Sequence, residues 1–92
     1  MCIIFEWDED KAKINQQRHD LTFEQAKAAF DDKNLVDAMD ESHSEDELRF
    51  NLIGLTEKGL LFVVYTERED DVIRIISARK ATKFEEEIYV KE

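Results

Sequence analysis

The second half of the chain consists of apolar segments separated by short polar turns. Strands are predicted over residues 48–56, 60–67 and 72–79, where aliphatic and aromatic side chains dominate. The turns between them, at residues 57–59 and 68–71, are too short for the crossover that parallel neighbours require. The three strands are therefore predicted to pair as an antiparallel meander.

The beginning of the chain is predicted to form one strand followed by a helix. Residues 2–7 are mostly apolar and are predicted to form the strand, with Ile3, Phe5 and Trp7 on one face. Asp8 is a typical N-cap, and the acidic residues after it favour the positive end of a helix dipole. The helix is predicted over residues 9–19. It ends before Asp20 and Leu21.

Two further helices and a short strand complete the predicted domain. Thr22 and Gln25 form a capping-box pattern at the start of a second helix. Its inward face is predicted to carry Phe23, Ala26 and Phe30. A short strand at residues 35–39 brings the meander to about four strands, and a last helix at residues 81–90 is predicted to turn Phe84 and Ile88 inward. The chain, residues 1–92, is thus expected to fold as a single α+β domain.

Charge and composition restrict the partners of this domain. The net charge is −10, whereas a general nucleic-acid coat is basic. Contact with RNA would have to be local, and the acidic surface suits a basic partner. The only cysteine, Cys2, has no internal disulfide partner, and no membrane segment or signal peptide is evident. We therefore expect a soluble, cytoplasmic protein.

Arginines interrupt the predicted strands near their ends. Arg49 lies in the first strand of the meander, Arg68 follows the second, and Arg79 ends the third. If the strands are regular, Arg79 shares a face with Ile73, Ile75 and Ser77, and Arg74 points to the opposite side. These arginines are either exposed and paired with acids or form a cluster for an anionic substrate, since the guanidinium matches phosphate.

The two histidines allow both structural and catalytic interpretations. His19 ends the first helix, where a cation is favourable, and its side chain is also suited to proton transfer near neutral pH. His43 lies in the acidic segment 40–47, which is interpreted as an exposed loop. The spacing of these histidines does not match a zinc site, and no phosphate-binding glycine loop is present. No metal or cofactor is expected.

Several segments together resemble the BrnT toxin family. The opening is Phe5-Glu6-Trp7-Asp8, followed by Lys11-Ala12, Asn15, His19, Phe23-Glu24, Ala26 and Phe30-Asp31. The resemblance continues with Arg49, Ile53-Gly54, Tyr65-Thr66, Arg68, the segment 73–79, Glu85 and Tyr89. It covers nearly the whole chain. Asp20 is a departure, because the family commonly has glycine there. The resemblance thus implies a left-handed residue at the end of the helix, a conformation that aspartate tolerates.

The resemblance implies the toxin half of a bacterial type II toxin–antitoxin pair. It implies a fold similar to RelE-type ribonucleases and cleavage of RNA without a metal. The implied partner is a BrnA-type antitoxin, a DNA-binding protein of ribbon-helix-helix type. The toxin would form a hetero-oligomer with it and contact DNA only through it, and the complex would repress its own operon.

The resemblance also implies roles for individual residues. Catalytic roles are implied for Lys11, His19, Arg49, Arg68, Arg79 and Glu85, and RNA contacts for Arg74 and Tyr89. In this scheme Arg68 and Arg79 stabilise the phosphate, and His19 or Glu85 acts as the base or acid. Arg74 is interpreted as a structural or rim residue. The alternative is a non-catalytic binding module that keeps only the antitoxin-binding role.

Overall fold

The computed structural model describes residues 3–39, 48–69 and 71–91, and for Glu69 the backbone only. In chain order the elements are β1 (Ile4–Glu6), α1 (Glu9–His19), α2 (Phe23–Lys27), a 3₁₀ helix (Ala28–Asp31), β2 (Val36–Met39), β3 (Phe50–Thr56), β4 (Gly59–Glu69), β5 (Val72–Lys80) and α3 (Lys83–Lys91). The α+β class is confirmed. Cys2, His43 and the acidic segment 40–47 lie outside the described residues. No helix in the described ranges is long and apolar enough to cross a membrane.

The strands form one five-stranded sheet in the order β1-β5-β4-β3-β2. The meander from β2 to β5 is antiparallel throughout, as predicted. β1 joins the sheet beside β5 in parallel orientation, and its last residue, Glu6, lies opposite Arg74. The sheet is therefore mixed, which short-range patterns do not reveal, because β1 and β5 are far apart in the sequence.

The predicted caps of α1 and α2 are present. Asp8 accepts hydrogen bonds from two amides in the first turn of α1, and Asp20 ends that helix in the left-handed conformation with φ of 56°. Thr22 and Gln25 form the reciprocal capping box of α2. Helical geometry then tightens into the 3₁₀ helix, which packs on β3. Gly54 is required there, because a Cβ at this position would lie 2.4 Å from the carbonyl oxygen of Ala29.

The core lies between the sheet and the pair α1 and α2. Its buried residues are Leu21, Phe23, Ala26, Ala29, Leu52, Leu61, Val63, Tyr65, Ile75 and Ala78. The rings of Phe5 and Phe30 and of Phe30 and Tyr65 meet edge to face, each pair with centroids 5.0 Å apart. Phe84, predicted to face inward, is 71% exposed instead, while Ile88 is half-buried.

One extra residue in β5 changes which side chains share a face. Val64 pairs with Ser77 and Tyr65 pairs with Ile75, so Ile76 has no partner on β4 and forms a bulge. Ile75 and Ala78 consequently both face the helices. The prediction that Ile75 shares a face with Arg79 is wrong, because it assumed a regular strand.

A second irregularity lies at the other end of β4. Glu67 pairs with Ile73 and Glu69 with Val72, which leaves Arg68 as the extra residue. The turn predicted over residues 68–71 is correspondingly shorter, since β4 continues to Glu69. Asp71, with φ of 68°, leads directly into β5.

A buried asparagine joins α1 to the edge of β5. Beyond Arg74, β5 has no strand partner on this side among the described residues, because β1 ends at Glu6. Asn15 is 5% exposed, and its Oδ1 accepts a 3.0 Å hydrogen bond from the amide of Ala78. Its Nδ2 donates to the carbonyl oxygen of Leu21 at 3.2 Å. This side chain therefore provides hydrogen-bond partners for a backbone amide at the edge of the sheet and for a backbone carbonyl in the loop after α1.

We expect Asn15→Ala to lower the free energy of unfolding by about 2–4 kcal/mol, because two buried backbone groups lose their partners. Urea unfolding measures this change. Gln17→Ala, on the exposed side of the same helix, is the control and should change stability by no more than about 0.5 kcal/mol. Equal stabilities of the two variants would contradict the role assigned to Asn15.

Candidate functional site

The side of the sheet that faces away from α1 and α2 is termed the open face. The half-buried residues on this face of β3, β4 and β5 include Asn51, Phe62, Val64, Arg74, Ser77 and Arg79. The bulge at Ile76 places Arg74 and Arg79 on this same face. The prediction that they point to opposite sides is therefore wrong, and Arg74 belongs to the same surface as Arg79.

Arg79 is held from two directions. Its Nη1 and Nη2 donate to the two carboxylate oxygens of Glu85, both at 2.8 Å. Its guanidinium carbon lies 4.3 Å from the ring centroid of Phe62, the residue opposite it on β4. A two-point ion pair and an aromatic surface fix the plane of the guanidinium as well as its position.

The held guanidinium keeps part of its hydrogen-bonding capacity. Nη1 also donates to the carbonyl oxygen of Lys80 at 3.2 Å, so both of its hydrogens are used. Within the described part of the chain, the Nε hydrogen and one Nη2 hydrogen of Arg79 have no acceptor. The side chain is 35% exposed. This edge of Arg79 is therefore available to a phosphate oxygen.

Glu85 connects Arg79 to the start of α3. Its Oε1 accepts a 2.9 Å hydrogen bond from the amide of Thr82, and the Thr82 hydroxyl accepts one from the amide of Glu85. This capping box was not predicted, although the Thr-x-x-Glu spacing signals it. Burial alone would raise the pKa of Glu85, but the hydrogen bonds from Arg79 and Thr82 outweigh it and lower that pKa. The hydrogen bond to Glu85 raises the pKa of Arg79. Both groups are charged at neutral pH.

The far end of α3 is held by a second contact. The Tyr89 hydroxyl donates to Asp32 Oδ2 at 2.6 Å, and the amide of Leu55 donates to the same oxygen at 2.7 Å. The hydrogen bond from Tyr89 is the main cause that lowers the pKa of Asp32, and it raises the pKa of Tyr89. Helix α3 therefore crosses the end of the sheet from β5 to β3. In this structure Tyr89 holds that helix in place.

Arg74 and Arg49 lie at the other end of the open face. Arg74 Nη1 is 3.0 Å from Glu6 Oε2 on β1, and Arg74 lies opposite Thr66. The buried Thr66 hydroxyl donates to the carbonyl oxygen of Leu48 at 2.6 Å, which holds the segment before β3 against β4. Arg49 follows in that segment and is half-buried. Thr66 thus has one arginine on its β5 side and another on its β3 side.

The remaining candidates are more peripheral. Lys11 and His19 lie one turn before and one turn after Asn15 on α1, and both are exposed. Because Asn15 contacts Ala78, the residue before Arg79, this side of α1 follows the edge of β5. Neither Lys11 nor His19 has a side-chain hydrogen bond to Arg79 in the described ranges. Arg68 is exposed at the second bulge.

Two residues of this arrangement were missed at the sequence level. Phe62 reads as ordinary core material, and only its register with Arg79 shows that it supports the guanidinium. Asp32 lies in a polar run that signals only the end of a helix. Among the described residues, no group of three or more His, Cys, Asp or Glu side chains is placed to hold a metal ion.

Comparison with known proteins identifies a single family. The model of the family described as ribonuclease toxin, BrnT, of type II toxin–antitoxin systems matches residues 7–85. The crystal structure of the Brucella abortus ribonuclease toxin BrnT is similar, with a TM-score of 0.63 and 25% identity. That similarity covers 90% of this chain and 99% of the Brucella chain. No curated protein matches the sequence significantly.

The Arg79–Glu85 pair predicts a specific pH dependence of stability. In the unfolded chain Glu85 titrates near its ordinary pKa of 4.5, and in the folded chain its pKa is lower. The contribution of the pair is therefore complete above this ordinary pKa and is lost as the pH falls through the folded value. The stability difference between wild type and Glu85→Gln should shrink as the pH falls from about 7 to about 3.

Thermal unfolding of both proteins across this range measures the difference. Glu87→Gln, at an exposed position of the same helix, removes the same charge and serves as the control. A difference between wild type and Glu85→Gln that does not change with pH would contradict the assigned ion pair.

Proposed function

Since the chain belongs to the BrnT family of ribonuclease toxins of type II toxin–antitoxin systems, we propose that RNA is cleaved where the open face meets the edge of β5 beside α1, and that Arg79 stabilises the reacting phosphate. One observation carries this proposal. Arg79 is fixed by Glu85 and Phe62 while its Nε edge remains without an acceptor in the described part of the chain. A rigid cation with free donors suits a phosphate that gains negative charge in the transition state.

The proposed reaction uses the 2′-hydroxyl of RNA and needs no metal. A base removes the 2′-hydroxyl proton, the 2′-oxygen bonds to phosphorus, and the bond to the 5′-oxygen breaks as an acid protonates that oxygen. The products are a 2′,3′-cyclic phosphate and a 5′-hydroxyl. His19 is the favoured proton carrier, because Glu85 is already committed to Arg79 and to Thr82. Lys11, Arg49 and Arg68 are proposed to assist with phosphate binding.

Membership of this family implies an antitoxin partner. We propose a BrnA-type ribbon-helix-helix antitoxin, which forms a hetero-oligomer with the toxin and represses the operon. The net charge of −10 supports a basic partner, because the acidic surface attracts it while the cationic contact with RNA is confined to one face. In this proposal the protein acts in the cytoplasm, where its substrate is found.

A non-catalytic binding module is the second candidate. It is favoured by the carboxylates that already pair with two arginines of the open face, Glu6 with Arg74 and Glu85 with Arg79. In this case the arginines are structural and the fold serves only to bind the antitoxin. Cleavage by the purified protein separates the two candidates.

We expect the purified protein to cut single-stranded RNA in the presence of a chelator, and Arg79→Ala to reduce the rate by about 100-fold or more. Arg79→Lys keeps the charge but loses the two-point geometry, so it should also be strongly impaired. Arg18→Ala, which removes an exposed arginine from α1, is the control and should cut at the wild-type rate.

Thermal unfolding confirms that each variant is folded. Equal rates for Arg79→Ala and wild type would remove Arg79 from the mechanism. Absence of cleavage by the wild type, together with tight binding of the antitoxin, would favour the binding module.

A further inference from the structure

The middle of the open face carries polar side chains that neither the fold nor the proposed cleavage step uses. The sheet register places Ala38, Asn51, Val64 and Ser77 in one row across β2, β3, β4 and β5. In the described part of the chain, the side chains of Asn51 and Ser77 make no hydrogen bond. Both are half-buried.

The neighbours of Asn51 leave its amide without a partner. On one side lies Ala38, which is small, and on the other lies Val64, which is apolar. Neither side chain can donate or accept a hydrogen bond. Buried Asn15 uses its amide within the fold, whereas half-buried Asn51 has no such partner in the described part of the chain. The adjacent donor and acceptor of Asn51 are therefore presented outward.

The row that contains Asn51 lies between two arginines of the open face. Phe62 and Arg79 occupy the next row toward α3, while Thr66 and Arg74 occupy the row on the opposite side. Their partners on β4, Thr66 and Phe62, are four residues apart, so at about 3.3 Å per residue the two arginines are separated by roughly 13 Å along the sheet. A single RNA strand whose backbone contacts both arginines would pass over the row that contains Asn51.

We propose that the Asn51 row, with Ser77 at its β5 end, binds one nucleobase of the RNA and thereby selects the position of cleavage. This inference rests on the proposed contact of RNA with the open face. Sequence-specific proteins read unpaired RNA bases through hydrogen bonds to their edges. The side chain of Asn51 matches an edge with adjacent donor and acceptor groups, and adenine is the base for which an asparagine amide is the usual partner. Arg79 positions the phosphate, and Asn51 determines which base lies beside it.

Two substitutions at Asn51 should change the base preference in different ways. Asn51→Ala should abolish the preference at one nucleotide position and reduce cleavage at favoured sites by roughly tenfold. Asn51→Asp replaces the amide donor with an acceptor, so the preference should move from adenine toward cytosine, whose amino group donates. Gln17→Glu makes the same change in charge on the exposed side of α1 and should leave the preference unaltered.

Two measurements test this assignment. Sequencing of the fragments from a random single-stranded RNA pool gives the base preference at each position around the cut. In parallel, binding of short single-stranded DNA homopolymers, which lack the attacking 2′-hydroxyl, gives the preference without cleavage. We expect wild type to favour the adenine homopolymer and Asn51→Asp to shift toward the cytosine homopolymer.

The two measurements also separate this inference from the proposed cleavage. Base-dependent binding that changes at Asn51→Asp, without any cleavage, would support the base site and contradict the ribonuclease activity. Cleavage and binding preferences that are identical in wild type, Asn51→Ala and Asn51→Asp would overturn the base site alone. Failure of every homopolymer to bind would also overturn the base site and would indicate that the open face binds a protein instead.

Discussion

The extra residue in β5 is the constraint on which the arrangement of this protein depends. By placing Ile76 out of register, it allows Ile75 and Ala78 both to face the helices. The same shift brings Arg74 and Arg79 to the opposite face. In a regular strand one of these arginines would have pointed into the core, where an unpaired charge is costly. Because of the bulge, one short strand contributes apolar residues to the core and arginines to the opposite surface.

The chemistry proposed for the open face is local, which would reconcile an acidic protein with an anionic substrate. The net charge of −10 opposes general binding of nucleic acid. Glu6 and Glu85 orient Arg74 and Arg79, and Phe62 supports the guanidinium of Arg79. These ion pairs reduce the positive potential of the arginines but fix the orientation of their guanidinium groups. Precise positioning of such groups is what stabilises a transition state. In the proposed complex, a basic antitoxin would contact the surrounding acidic surface instead.

Local features of this fold could be predicted from the sequence, and long-range features could not. The caps at Asp8 and Thr22 follow from residue type and spacing. The parallel pairing of β1 and the bulge at Ile76 depend on contacts between distant segments, so periodicity gave the wrong face for Arg74. The strand pattern and the family resemblance supplied the candidate residues, and the structure shows two of them, Arg79 and Glu85, in direct contact.

The central claim is that the free edge of Arg79 meets the RNA backbone. The most direct measurement is the side-chain Nε–H resonance of Arg79 in proton–nitrogen correlation spectra during titration with a single-stranded DNA oligonucleotide that cannot be cleaved. We expect this resonance to shift in proportion to binding, while that of Arg18 stays unchanged. Binding that shifts resonances on α1 and leaves Arg79 unaltered would contradict the account.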